Sequence, residues 1–308
     1  MLAGGTPAPP CVGDEREGPP HLHWLTKGFL DLLFPPRCLV CRRFGLDALC
    51  GDCAAGVEPI TPPFCHHCGA PFDPLARGGP LCASCRQTQR SSYIIGRSMA
   101  VYDGPLREAV HRLKYDGKRV LARVLGEMLA DAMLDGTSAL ERVPQPRGSR
   151  VLAANRSDDR SQPGVASAPE AASGMLQPPP GIPFDKLSLI VPVPLHPVRA
   201  RERGFNQSEL LCAPLAHRAS VPIATHCLGR VKLTAPQVAV PAKMRRANVR
   251  GAFGVTDPAA VAGRTVLVFD DVWTTGATLL ECARVLRQAG TSAVYLLTLC
   301  RAVAKLQL

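Results

Sequence analysis

Two consecutive acids, Asp270 and Asp271, stand between the apolar run Val266-Leu267-Val268-Phe269 and the segment Val272-Trp273-Thr274-Thr275-Gly276-Ala277-Thr278. The apolar run reads as a strand, which in an open α/β sheet delivers the residues after it to the carboxyl edge, where ligands bind. Asp270 and Asp271 can accept hydrogen bonds there from the two hydroxyls of a ribose. The Thr-Thr-Gly-Ala-Thr turn opens a helix, and the N–H groups of a helix N-terminus favour a phosphate. Thr274, Thr275 and Thr278 add hydroxyl donors beside Ala277, and Gly276 lets the backbone approach an anion closely. The segment lacks the Gly-Lys-Ser/Thr ending of a P-loop and the Gly-x-Gly-x-x-Gly of a dinucleotide fold. A plain strand followed by a capped helix would leave the repulsion between the adjacent carboxylates unexplained.

Eight of the thirteen cysteines form four CxxC pairs, Cys38 and Cys41, Cys50 and Cys53, Cys65 and Cys68, Cys82 and Cys85. A CxxC turn puts two sulfurs on one side of a tight loop, and two such turns make a tetrahedral thiolate cage suited to Zn²⁺. Four protein ligands close the coordination sphere, so two structural zinc sites are expected, each contributing on the order of 10–16 kcal/mol to folding. Sequential pairing of the knuckles is expected, with interleaved pairing open. His66 and His67 lie inside a knuckle and read as exposed loop residues rather than ligands. Cys212, Cys227, Cys282 and Cys300 sit in apolar patterns as core thiols, and Cys11 has no assigned role. Cysteines paired for metal rather than for disulfides point to a reducing compartment.

The formal net charge is +11, and residues 195–250 hold ten Arg or Lys against two acids, a local net of +8. Such a field suits a diphosphate or a nucleic acid. Phe205 and Phe253 are the only aromatics in or near it, few for a base-stacking groove. No apolar run approaches the roughly 18 residues of a membrane span, and Met1 to Pro20 lacks the basic and apolar regions of a secretory signal.

The elements that must position these residues follow from the pattern. Strands are expected at Ser98–Tyr102, Leu187–Val193, Thr265–Asp271 and Ala293–Leu299. Helices are expected at Pro105–Tyr115, Val120–Leu134, Asn206–Ala219 and Gly276–Ala289, the last closed by Gly290. Their alternation argues a parallel α/β sheet. The expected domains are a leader over 1–34, largely disordered with a short amphipathic helix; a double zinc ribbon over 35–90; an α/β domain over 91–142 and 184–308; and a disordered insertion over 143–183, rich in Pro, Ser, Ala and Gly.

The segment Val266 to Thr278 resembles the signature of type I phosphoribosyltransferases. The whole chain, from about Phe34 to Arg301 apart from the insertion, resembles the ComF family of competence-associated proteins. Tyr102-Asp103-Gly104-Pro105 through Lys114-Tyr115, Val191-Pro192-Val193-Pro194, Arg203-Gly204-Phe205-Asn206-Gln207-Ser208 and Arg245 to Phe253 carry the likeness further. The resemblance implies a double zinc ribbon joined to a phosphoribosyltransferase-like domain that binds phosphoribosyl diphosphate with Mg²⁺. Asp270 and Asp271 would act at the reaction centre and Thr274 to Thr278 would hold the 5-phosphate. Leu195, His196, Arg199, Arg201 and Arg203 would hold the diphosphate. Arg230, Lys232, Gln237 and Arg245 would belong to a mobile covering loop, and Lys114 would reach the site from one side. The family's link with natural transformation implies single-stranded DNA and the uptake machinery as partners, and a cytoplasmic place, at most peripheral to the inner membrane. It leaves open a transferase of unnamed acceptor, a non-catalytic DNA-handling protein and a docking module.

Overall fold

A computed structural model describes residues 35–72, 79–87, 92–135, 181–232 and 244–303. The expected leader, nearly all of the expected insertion and Gln237 lie outside the described residues. The framework is a four-stranded parallel sheet formed by β1 (Gly96–Val101), β2 (Leu189–Pro192), β5 (Thr265–Trp273) and β6 (Ala293–Arg301), in the order β1-β6-β5-β2. The expected α/β class is therefore observed. Strands covered on both faces read as near-continuous apolar runs, as in Leu189-Ile190-Val191-Pro192, every residue of which is buried.

The chain runs from β1 through α3 (Gly104–Tyr115) and α4 (Val120–Leu134) to β2. It continues through α5 (Pro197–Arg203), α6 (Gln207–Ala219) and an antiparallel ribbon of β3 (Leu228–Arg230) with β4 (Phe253–Val255). The short helix α7 (Arg245–Val249) lies between the ribbon strands. After β5, α8 (Ala277–Gln288) leads to β6. Helices α3, α4 and α6 bury Leu106, Leu113, Leu125 and Leu211 against Ile190, Leu267, Phe269 and Leu297. Helix α8 buries Leu279, Cys282 and Leu286 on the opposite face, with Val191, Val266, Val268 and Leu296. The period-2 alternation of β5 thus splits its side chains between two cores. Between β1 and β6 a buried hydroxyl pair, Ser98 Oγ to Thr298 Oγ1 at 2.7 Å, sits in register.

The zinc-ribbon segment is built onto this sheet. Residues 58–60 run antiparallel along the free edge of β1, where Ile60 N–H donates to Met99 O (2.9 Å) and Val101 N–H to Glu58 O (2.8 Å). This covers an edge that would otherwise expose unpaired backbone groups. Helix α1 (Gly51–Ala55) of the first ribbon joins the core on the α3 face through Cys53, while α2 (Ala83–Gln87) belongs to the second ribbon, packed on the α8 face.

Three features differ from the expected pattern. β5 and β6 each extend two residues further than expected, to Trp273 and Arg301, because they pair there as well, Val272 with Cys300 and Trp273 with Arg301. The segment expected as a diphosphate loop, Leu195 to Arg199, is helical from Pro197. His196 caps that helix by accepting from Val198 N–H (3.3 Å), and Gly204 ends it in the left-handed region. The β3–β4 ribbon is also additional, and places Arg230 in a strand rather than in a covering loop.

Phe269 is fully buried at the centre of β5. Phe269→Ala is expected to lower the unfolding free energy of the zinc-loaded protein by about 3–5 kcal/mol in denaturant titrations. A loss below about 1 kcal/mol would show that β5 is not central to the core.

Candidate functional site

Alternation along β5 separates the two acids. Asp271 points with Leu267 and Phe269 toward α3, where it forms an ion pair with Lys114 Nζ. Its other oxygen accepts from Val272 N–H at 2.9 Å. Asp270 Oδ1 accepts from the Ser208 hydroxyl (3.1 Å) and from Asp271 N–H (2.9 Å). Ser208 is held at the start of α6, where Asn206 accepts from its N–H (3.2 Å) and donates to Val193 O (3.2 Å). Burial, reinforced by the Asp271 charge, pushes the Asp270 carboxyl up to about 7. For Lys114 burial opposes the ammonium, but the facing Asp271 carboxylate outweighs it and holds the lysine above its usual value.

The Thr-rich turn connects β5 to α8. Gly276 has φ +75°, and Leu280 N–H closes the first helical turn on Gly276 O at 2.9 Å. A Cβ at Gly276 would lie 2.7 Å from Trp273 Nε1. The glycine therefore serves a left-handed turn and the close approach of the indole behind it, and it also borders the cleft that the two acids line. Trp273 also lies 2.7 Å from where a Cβ would stand on Gly96, and the Arg301 guanidinium sits 4.0 Å above its ring.

Asp270, Asp271, Thr274, Gly276, Ala277 and Thr278 border a cleft of about 470 Å³. Leu195, Arg199, Arg203, Arg230 and Arg245 border it from other elements. Arg199 and Arg203, four residues apart, share one face of α5. Arg201, between them, is exposed outside the cleft, as is Lys232, and the half-buried capping His196 also lies outside it. Thr275 faces the other side of its turn. Arg230 lies against the Phe253 ring (5.3 Å), and burial together with the charge of Arg199 pushes its guanidinium down. Several cations thus line the same cleft as the two acids. Arg107 and His111, with Lys114, complete the wall from α3. Their i, i+4, i+7 spacing, a polar stripe beside apolar Leu106, Val110 and Leu113, is the signal in the sequence that marks them.

The cysteines assemble as two quartets, Cys38, Cys41, Cys50, Cys53 and Cys65, Cys68, Cys82, Cys85, with all sulfurs of each within 4.8 Å. This is the sequential pairing. Sulfur–sulfur separations of 3.8 Å (Cys38–Cys53), 3.6 Å (Cys41–Cys50) and 3.8 Å (Cys68–Cys82) match the roughly 3.8 Å edge of a tetrahedron with Zn–S bonds of about 2.3 Å. The quartets fit two structural zinc sites. Arg97 and Arg301 are buried beside the second quartet, bonded to the backbone carbonyls of Gly96, His66 and Cys68. Four thiolates around Zn²⁺ carry an excess of two negative charges, which these two guanidiniums balance. His67 is outside the quartet, stacked on Tyr93 at 4.3 Å with its Nδ1 2.9 Å from Ile94 O.

Residues 29–86 match the model of the double zinc ribbon domain. The chain is 30% identical over 273 residues to the "DNA utilization protein YhgH" of Salmonella typhimurium, covering 88% of this chain and 99% of that protein. It belongs to the ComF family. "Competence protein F" of Haemophilus influenzae is 28% identical over 86% of this chain and 97% of its own length. "Competence protein ComFC" of Bacillus subtilis is 25% identical over 80% and 81%. Among solved structures, the glutamine phosphoribosylpyrophosphate amidotransferase from B. subtilis aligns over 36% of this chain and 22% of its own, at 20% identity and a TM-score of 0.24.

For this ComF-family chain two outcomes are expected. Stripping zinc with a chelator, or Cys65→Ser, should collapse the second ribbon and release Trp273, lowering Tm and shifting tryptophan fluorescence; unchanged melting after verified metal loss would exclude a structural role. Lys114→Met leaves Asp271 without its cation. Because the Lys114 side chain is 19% exposed, the expected loss of stability lies near the lower end for a broken buried pair, about 3 kcal/mol by denaturant unfolding. Asp271→Asn in the same background should recover part of it.

Proposed function

We propose that the chain binds phosphoribosyl diphosphate in the cleft at the end of β5 and acts, in competence-associated handling of DNA, as a phosphoribosyltransferase-like protein. The observation that carries this reading is that two acids and a glycine-closed helix start line the same cleft as Arg199, Arg203 and Arg230. A donor bearing ribose hydroxyls, a 5-phosphate and a diphosphate meets each group in turn. Asp270 and Asp271 accept from the ribose hydroxyls, and the Thr274–Thr278 turn receives the 5-phosphate. Arg199 and Arg203 receive the diphosphate with bidentate hydrogen bonds.

Among the described residues only the cysteine quartets form a cluster of metal ligands. With Asp271 already paired to Lys114, Mg²⁺ fits this cleft as an ion carried by the donor's own oxygens, with the acids orienting it through the ribose. There it would neutralise the leaving diphosphate. Transfer lengthens the C1–O bond to diphosphate while a nitrogen nucleophile approaches C1, and the arginines stabilise the charge that gathers on the leaving group. Arg245, which borders the cleft, would belong to a covering loop over the reacting atoms. The names of the relatives, "DNA utilization" and "Competence protein", support a role with incoming single-stranded DNA and the uptake machinery. Among the described residues no helix is long and apolar enough to cross a membrane, which is compatible with the cytoplasmic or membrane-peripheral place proposed here.

Calorimetric titration of the zinc-loaded protein with Mg²⁺ and phosphoribosyl diphosphate tests the binding, and diphosphate release with candidate acceptors tests turnover. Asp270 is a carboxyl whose folded-state value is raised to about 7. In the free protein it ionises only as pH rises through that value, and the stability associated with its neutral form, full below the unfolded value of 3.8, is lost as pH rises from there through about 7. Ribose hydroxyls and a cation favour the ionised form, so binding releases a proton. Affinity should therefore rise between about pH 5.5 and 7.5 and level off above. Asp270→Asn should weaken binding about tenfold or more and flatten the pH profile. Donor affinity that is pH-independent and insensitive to Asp270→Asn would exclude this site.

A further inference from the structure

A second cleft, of about 560 Å³, lies behind the Thr-rich turn. Thr274 and Ala277 border both clefts, so the turn is the partition between them. One wall is the second zinc ribbon, with Ser84 and the His67–Tyr93 stack (4.3 Å, 18° between ring planes). The opposite wall is α7. Successive arginines of that helix serve different clefts: Arg245 borders the first, whereas Arg246 borders the second together with Arg250, four residues on.

The charge of this second cleft is unbalanced. Arg246 and Arg250 are exposed, and neither forms an ion pair with an acid among the described residues. Glu281 is the one acid in the lining, and its carboxylate is already engaged. It receives Arg284 at 2.7 and 2.9 Å and Gly251 N–H at 2.8 Å. These contacts, led by Arg284, hold it below the usual carboxylate range, and Arg250 adds only to the surrounding field. Arg301, at the back, balances the thiolate centre. Among the described residues no acid is paired with Arg246 or Arg250, and two guanidiniums lining one cleft suit a phosphate. The cleft is far larger than a phosphate ion, and the stacked His67 and Tyr93 rings in its lining offer a partner for a planar ring.

We propose that this second cleft binds a nucleoside 5′-monophosphate, with the phosphate on Arg246 and Arg250 and the base against the His67–Tyr93 stack. The site is separate from the donor cleft and stands whether or not that cleft takes phosphoribosyl diphosphate.

The zinc-loaded full chain is titrated by calorimetry with GMP, AMP, CMP and UMP, and with inorganic phosphate, the free nucleosides and a short single-stranded oligonucleotide. At least one monophosphate is expected to bind more tightly than phosphate or its nucleoside. Arg246→Ala/Arg250→Ala should weaken it about tenfold or more, whereas Arg199→Ala/Arg203→Ala should leave it unchanged. In the unaltered protein, magnetisation transfer from the His67 and Tyr93 ring protons to the base protons is expected, a readout that depends on no variant. The proposal is overturned if no monophosphate binds, if phosphate alone binds as well, or if only the oligonucleotide binds. It is equally overturned if the Arg199/Arg203 variant, rather than the Arg246/Arg250 variant, loses the nucleotide, or if no transfer from the two rings is seen at saturation.

Discussion

Trp273 places its indole between two glycines, Gly96 of β1 and Gly276 at the start of α8, and beneath the guanidinium of Arg301. That guanidinium donates to Cys68 O within the second zinc quartet, and the Tyr93 ring meets the indole edge-on at 6.3 Å. The position of the Thr-rich turn is therefore set by a side chain two of whose partners, Arg301 and Tyr93, in turn contact the second metal knuckle at Cys68 and His67. Interiors are close-packed and transmit displacement. A knuckle that opened would remove the surface against which Trp273 packs, and the turn would lose its backing before any residue of the cleft had changed. On this view the zinc ribbons are part of the scaffold that shapes the ligand turn.

Much of this was legible in the sequence because the signals are local. A CxxC pair states its own geometry, and the apolar run before Asp270 states its own strand. The helices Val120–Leu134 and Gln207–Ala219 follow from an apolar period matched to 3.6 residues per turn. What was hidden depends on contacts distant along the chain. The Arg199–Arg203 segment reads as a basic loop, although Pro197 and Gly204 mark the start and end of a helix, because the arginines draw attention to charge rather than to those two positions. Only a helix turns Arg201 away while leaving Arg199 and Arg203 together. Gly276 reads as a glycine made for a ligand, since nothing in a linear pattern says that Trp273, three residues earlier, folds back into the space of its missing side chain.

Buried charge is handled in three ways in this chain. In the second quartet an excess of thiolate charge meets Arg97 and Arg301, with no carboxylate needed. At Asp271 a single lysine supplies the balance. In the cleft, burial and the charge of Arg199 both weigh on the Arg230 guanidinium, and the Asp270 charge offsets part of that cost. An anion bound in the cleft would lower that cost further.

The two acids carry the same logic into the chemistry. They are neighbours in sequence with identical side chains, yet β5 turns them to opposite sides and gives them opposite surroundings. Asp271 meets an ammonium, while Asp270 meets a hydroxyl and the charge of its own neighbour. Lys114 gives Asp271 a fixed counter-charge, while burial and the Asp271 charge raise the Asp270 carboxyl. Lys114 reaches the site from the last turn of α3, whose N-terminal turn packs against the first zinc ribbon through Pro105 and Gly56. The reactive end of β5 is thus braced from one side by α3 and the first ribbon, and from the other by Trp273 and the second. Two metal ribbons on a sheet only four strands wide make physical sense when each supports one of the two sides toward which Asp270 and Asp271 diverge.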